Sequence, residues 1–158
     1  MTAEAKTQPE TDREIVVSRI IEGPRKLVFD AFTDVTNLGK WWVPDGSRIT
    51  TRTFEFRPGG VWDSTIHRAG GSEFPNYIVW KEIAPPERIV WMYYGMGKDD
   101  PNAVMTTLTL AERGATTEAT LRLVFGSKEQ RDQAAKYHAA KGAQQSLDSL
   151  AAYVEGGR

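Results

Sequence analysis

Apolar and polar positions along the chain change period several times, and each change marks an element. Arg13 to Glu22 is rich in β-branched residues and stops at Gly23-Pro24, which predicts a first strand. Pro24 suits a first helical position. Leu27, Val28, Ala31 and Phe32 then recur at three- and four-residue steps, predicting a short helix. Asp34 to Trp42 reads as a second short helix closed by the turn residues Pro44-Asp45-Gly46. From Arg48 to Phe125 the period falls to two, with turn signals at the spacing of an antiparallel meander. Strands are predicted at Ile49–Phe56, Val61–His67, Phe74–Ile83, Arg88–Tyr94, Val104–Glu112 and Thr116–Phe125, with a longer loop from Gly95 to Asn102.

In the last of these strands Ala119, Leu121, Leu123 and Phe125 share one side, while Thr120 and Arg122 share the other, predicting one buried face and one wet face. Ser127 to Gln130 has the form of a capping box, in which the Ser127 hydroxyl and the Gln130 amide satisfy each other's free backbone donors. One long helix is expected to start there. Its apolar stripe is Tyr137, Ala140, Ala143 or Gln144, Leu147, Leu150 and Val154, running to Gly156-Gly157. Helices gathered on one side of a single antiparallel sheet define an α+β fold. A curved sheet around one long helix leaves a hollow, because the helix seals only part of the concave face, and such hollows are common small-molecule sites.

Composition narrows the chemistry. The 158 residues carry 20 Lys+Arg and 21 Asp+Glu, a net charge of −1, which lacks the basic footprint of a nucleic-acid binder. With no cysteine, disulfides and thiolate chemistry are excluded. No apolar run approaches the roughly 20 residues of a membrane span. Met1 to Asp12 is polar and without the apolar stretch of a secretory signal, so residues 1–12 are expected to be disordered and the address cytoplasmic. No motif calls for a metal or other cofactor. His67 and His138 stand 71 positions apart and read as surface or strand-edge histidines. Gly59-Gly60 and Gly70-Gly71 join strands rather than open a helix, so they read as turns, not phosphate cradles.

Fourteen of the 16 aromatic residues lie between Phe29 and Phe125, more ring surface than a plain sheet needs. Strand parity groups Trp62, Ser64 and Ile66 on one face and Ile89, Trp91 and Tyr93 on another. Pairing both with the Leu121–Leu123–Phe125 face is the economical arrangement. Trp41-Trp42 either fastens the short helices over the sheet mouth or meets a ligand. Glu82, Asp63, Glu55 and Glu118 are acid–base candidates if they point inward; otherwise they face solvent opposite partners such as Arg52, Lys81 or Arg122. Met92, Tyr94, Met96 and the Gly95–Asn102 loop are either an adaptable edge for a partner protein or an ordinary loop.

Four motifs occur in order: Gly23 to Asp34 followed by Leu38-Gly39-Lys40-Trp41-Trp42-Val43-Pro44; Arg57-Pro58-Gly59-Gly60-Val61-Trp62; Glu82 to Val90; and Ser146 to Val154. Together, over about residues 13 to 155, they resemble the START-like helix-grip (SRPBCC) superfamily. Within it they look like the branch named for similarity to the activator of the heat-shock protein 90 ATPase. The resemblance implies a helix-grip fold, a curved sheet of about seven strands around a C-terminal helix, in a START-like ligand-binding domain at residues 13–156. It implies a cofactor-free protein holding a small apolar or amphipathic molecule between sheet and helix. A chaperone-linked stress role on a heat-shock protein 90 relative and a cyclase- or hydratase-like activity using a cavity carboxylate or tyrosine are its alternatives. A chaperone is thus a second possible partner, and the chain is expected to be a monomer or homodimer. The residues expected at the ligand are Phe32, Trp42, Phe54, Phe56, Trp62, Ile66, Tyr77, Trp91, Tyr93, Leu123, Phe125, Ala143 and Leu147. No catalytic residue is assigned. The family pattern commonly has Trp after the glycine of the terminal helix; here Gly142 is followed by Ala143, which would enlarge the hollow.

Overall fold

The computed structural model describes residue 9, residues 11–44 and residues 46–156. The expectation of disorder for residues 1–12 falls almost entirely outside them. Strand β1 (Glu14–Ile21) is followed by the short helices α1 (Arg25–Asp30) and α2 (Val35–Trp41). Six strands come next: β2 (Arg48–Phe54), β3 (Val61–His67), β4 (Glu73–Ala84), β5 (Arg88–Tyr94), β6 (Val104–Arg113) and β7 (Thr116–Val124). Helices α3 (Lys128–Lys136) and α4 (Ala139–Glu155) end the described chain. The strands form one antiparallel sheet in the order β1-β7-β6-β5-β4-β3-β2, so every neighbour except β1 is also next in sequence. This is the helix-grip architecture.

Local chemistry accounts for the starts of the helices. The Asp34 carboxylate accepts from the Thr36 backbone N–H at 2.8 Å, capping α2. The Ser127 hydroxyl accepts from the Gln130 N–H at 3.1 Å, as a capping box requires. The return bond is displaced by one residue, because the Gln130 side-chain oxygen accepts from Gly126 N–H at 2.8 Å rather than from Ser127. Gly60 answers to a steric demand: a Cβ there would sit 2.1 Å from the Glu55 carbonyl oxygen. Gly59 N–H and the Gly60 carbonyl bond to Trp80 across this tight approach, next to the register shift in β4.

The single long C-terminal helix is corrected by the structure. α3 ends at Lys136, and His138 adopts a left-handed conformation (φ 68°) before α4 begins. Histidine is among the residues that tolerate this region, so the break needs neither glycine nor proline. α3 is polar all round and buries no residue, and Tyr137, placed in the expected stripe, is 68% exposed. The stripe itself starts further on: Leu147, Leu150, Ala151 and Val154 are buried, whereas Ala140 is exposed.

Register puts Ile21, Ala119, Leu121, Leu108, Leu110, Ile89, Trp91, Ile78, Trp80 and Trp62 on one concave face, where they form the core with α1, α2 and α4. The opposite face is not uniformly wet, contrary to the simple alternation. Val90, Ala111 and Thr120 are buried there, and Arg122 pairs with Glu14 with both side chains largely shielded.

Candidate functional site

A hollow of about 360 Å³ lies between the concave face and α4. Its floor is Trp91 and Tyr93 of β5, Thr106 and Leu108 of β6, and Leu121 and Leu123 of β7, with Ile66 and Asn76 at the side. Phe32, Trp41 and Trp42 form the end wall. The roof is one face of α4, Ala139, Gly142, Ala143, Ser146, Leu147 and Leu150, at the three- and four-residue spacing that puts side chains on one side of a helix. Small residues occupy the first two turns of that face and leucines the next, and the missing side-chain volume is why space remains. The hollow adjoins a groove between the end of α2 and α4, with which it shares Trp42, Gly142 and Ser146.

The C-terminal half of α4 is fastened to β1 and the segment after it. The Arg19 guanidinium donates to Asp148 at 2.7 Å, and the Glu22 N–H donates to the Glu155 carboxylate at 2.9 Å. The Arg19 hydrogen bond is the main reason the Asp148 carboxyl sits below its usual range. At Gly23, a Cβ would stand 3.1 Å from a Val154 methyl, so the chain approaches the helix closely there.

Both tryptophans of the end wall are anchored. Trp41 Nε1 donates to the Ala31 carbonyl at 3.1 Å, tying α2 to the end of α1. Trp42 Nε1 donates to Asn76 Oδ1 at 3.1 Å. Asn76 Nδ2 in turn donates to Ser64 Oγ, and the Ser64 hydroxyl donates to the Asn76 carbonyl, each at 2.9 Å. Asn76 and Ser64 are fully buried and face each other across β3 and β4, so this network fixes the lid over the sheet. The pair Trp41-Trp42 therefore both fastens the helices and lines the hollow.

Of the residues expected at a ligand, Phe32, Trp42, Ile66, Trp91, Tyr93, Leu123, Ala143 and Leu147 are brought together around the hollow. Phe54, Phe56 and Trp62 instead lie in the ring cluster beside it. Phe56 meets Trp80 at 4.9 Å and Trp62 meets Trp42 at 5.1 Å, both edge to face. Phe125 is buried but stands outside the lining. Tyr77 is on the convex face, opposite Tyr94 and Asp63, with its ring edge-on to Tyr94 at 5.8 Å. These five stand outside the lining of the hollow, and much of the aromatic excess packs in the core. Asn76, Thr106, Leu108, Ala139, Gly142, Ser146 and Leu150 were not anticipated. Parity with Ile78 and Trp80 would have found Asn76, and parity with Leu108 and Leu110 would have found Thr106.

The strand carboxylates point elsewhere. Asp63 pairs with Arg52 at 2.7 Å, Glu82 with Arg88 at 3.2 Å, Glu118 with Arg113 at 2.7 Å and Glu55 with Arg57 at 3.5 Å. Arg122 is paired with Glu14. Among the described residues, those lining the hollow include no charged side chain. Burial, and secondarily the negative charge of Asp100, pushes the Tyr93 phenol above its usual 10.0, so it stands in the hollow as a neutral hydroxyl.

A separate cluster occupies the convex edge of the sheet. The Thr50 hydroxyl is 2.8 Å from His67 Nε2, and His67 Nδ1 is 2.9 Å from the Glu73 carboxylate. The connectivity is hydroxyl, imidazole, carboxylate. It links three adjacent strands, His67 opposite Glu73 and diagonal to Thr50, with Glu73 62% exposed, and is a cross-strand cluster rather than part of the hollow. Among the described residues no three His, Cys, Asp or Glu side chains are grouped to hold a metal ion, and no helix is long and apolar enough to cross a membrane.

A curved antiparallel sheet gripping a C-terminal helix over an apolar hollow defines the START-like helix-grip class. Residues 22–155 match the model of the family described as activator of Hsp90 ATPase homolog 1-like protein, and the chain belongs to that family. The fold recurs in a protein from Arthrobacter aurescens at 19% identity and TM-score 0.82, covering 92% of this chain and 87% of that one. A protein from Nitrosomonas europaea matches at 20% identity and TM-score 0.81, covering 94% and 97%. One from Chromobacterium violaceum matches at 25% identity and TM-score 0.75, covering 92% and 99%. No curated protein matches the chain.

Proposed function

We propose that this protein binds a small, predominantly apolar molecule in the hollow beneath α4, as a cofactor-free cytoplasmic carrier or sensor formed by residues 13–156. The observation that carries the reading is the hollow itself. At about 360 Å³ it falls within the range of small-molecule sites, and it is walled by aromatic and aliphatic side chains with a few polar groups. A cavity of about 150 Å³ accommodates one benzene ring, so this one suits a compact molecule of about two rings rather than a long lipid chain. The four paired strand carboxylates turn away from it, which favours holding a molecule over converting it.

Native mass spectrometry of the protein as purified, followed by calorimetry against a panel of neutral two-ring compounds, tests the reading. Saturable one-to-one binding supports it. A hollow that takes up none of the panel and carries nothing from the cell overturns it. The family description keeps a chaperone partner as a second reading. Acceleration of ATP hydrolysis by the host's heat-shock protein 90 would support that one, and an unchanged rate would remove it.

A further inference from the structure

The hollow and the groove beside it are lined by two overlapping faces of α4. The groove takes Gly142, Gln145, Ser146 and Ser149, a second stripe at three- and four-residue spacing, and it shares Gly142 and Ser146 with the roof of the hollow. Those two positions put almost nothing in the way. Gly142 is exposed and has no side chain, and a Cβ built there would have open space around it beyond the helix itself. Ser146 carries only a hydroxyl, which folds back to donate to the Gly142 carbonyl at 3.2 Å. Across from this edge stands the Trp42 indole, held by Asn76 at 3.1 Å and half-buried, whereas its neighbour Trp41 is buried. The hollow therefore opens toward the groove between Trp42 and the Gly142–Ser146 edge.

The chemistry changes across that edge. Rings and aliphatic side chains dominate the hollow, and none of its lining residues is charged. The groove, about 430 Å³, offers the Gln145 amide, the Ser149 hydroxyl and the Asp148 carboxylate. Asp148 is already paired with Arg19 at 2.7 Å, so the pair is net neutral and rewards neither a cation nor an anion. What remains is a set of neutral donors and acceptors. A polar chain kept inside the hollow would lose its water without gaining partners, whereas in the groove it stays hydrated on one side.

We propose that the ligand is amphipathic and binds extended. Its compact apolar body fills the hollow, and an uncharged hydrogen-bonding tail, of the ether, alcohol or amide kind, leaves past Trp42 and lies along Gln145 and Ser149 in the groove. This rests on the ligand-binding reading above and adds to it the direction and the chemistry of the part outside the hollow.

Calorimetry with two probes tests whether a tail is accepted: naphthalene, and naphthalene carrying a diethylene glycol ether at its 2-position. The tailed probe should bind within about threefold of naphthalene or more tightly, whereas a hollow closed at this edge would weaken it at least about tenfold, its oxygens being stripped of water. The chain has no cysteine, so a single introduced thiol reports where the tail lies. The tailed probe ending in an iodoacetamide should alkylate a Gln145→Cys variant at least about tenfold faster than an Ala115→Cys variant, because binding concentrates the reagent at the groove. Each rate is divided by that for iodoacetamide itself, which removes differences in thiol reactivity. Both positions are exposed, with Ala115 in the turn between β6 and β7, so neither change touches the core. Excess naphthalene should abolish the difference. A tailed probe at least about tenfold weaker than naphthalene, equal alkylation at the two positions, or a preference that naphthalene leaves intact overturns the extended pose but leaves the hollow as a binding site. Failure of both probes to bind overturns both.

Discussion

Replacing Ala143 by tryptophan introduces the indole that the family resemblance leads one to expect after this glycine, and its consequences follow from the geometry. Ala143 lines the hollow from the first half of α4 and packs against the core. An aromatic side chain that buries about 150 Å² in apolar surroundings gains about 4 kcal/mol at ~25 cal/mol per Å². Ordering the side chain costs about 1 kcal/mol, and imperfect fit takes about 1–3 kcal/mol more. The net is between about 0 and 2 kcal/mol of stabilisation, a rise of up to about 8 °C in Tm for a chain of this size. An indole is larger than the benzene that needs about 150 Å³, so it takes roughly half of the 360 Å³. Calorimetric melting should therefore show equal or higher Tm, while affinity for a neutral two-ring compound such as naphthalene falls at least about tenfold because the remaining space no longer holds two rings. A variant that melts lower and binds naphthalene as the parent does would refute the argument, since the indole would then lie outside the hollow.

Arg122→Ala removes the charge partner of the shielded Glu14 carboxylate, which keeps the Thr11 hydroxyl, and should cost about 1–3 kcal/mol. Denaturant unfolding that gives a loss under about 1 kcal/mol would show the pair to be solvated. Tyr93, raised above 10.0 by burial first and Asp100 second, should ionise above the ordinary tyrosine range on the folded protein. The neutral phenol favours the fold, so its contribution is complete below the unfolded value and is lost as pH rises through the higher folded one. Ultraviolet phenolate titration should show a late step that Tyr93→Phe abolishes; an unchanged titration curve would place the hydroxyl in solvent.

Much of the fold was legible because strands and turns are local. Val61–His67 and Arg88–Tyr94 were delimited to the residue, since each is a period-two run bounded by turn chemistry. Joining the Trp62 and Trp91 faces to the Leu121 face also agreed with the register, because burial on one side of a sheet leaves a single consistent alternation. The break at Tyr137–His138 was not legible. A histidine in the left-handed region carries no pattern of its own, and the polar α3 could be continued into α4 on paper without any local conflict.

What the sequence determined by itself was the order of the elements, the family and the set of side chains sharing each face. Only the tertiary structure decided which of those side chains meet empty space. Phe54, Phe56 and Trp62 have the same parity credentials as Trp91 and Tyr93, but rings from neighbouring strands and from α2 close over them. Cavity and core differ by the volume brought from across the fold, and here that volume depends on Ala139, Gly142 and Ala143, some fifty positions away from the strand they face.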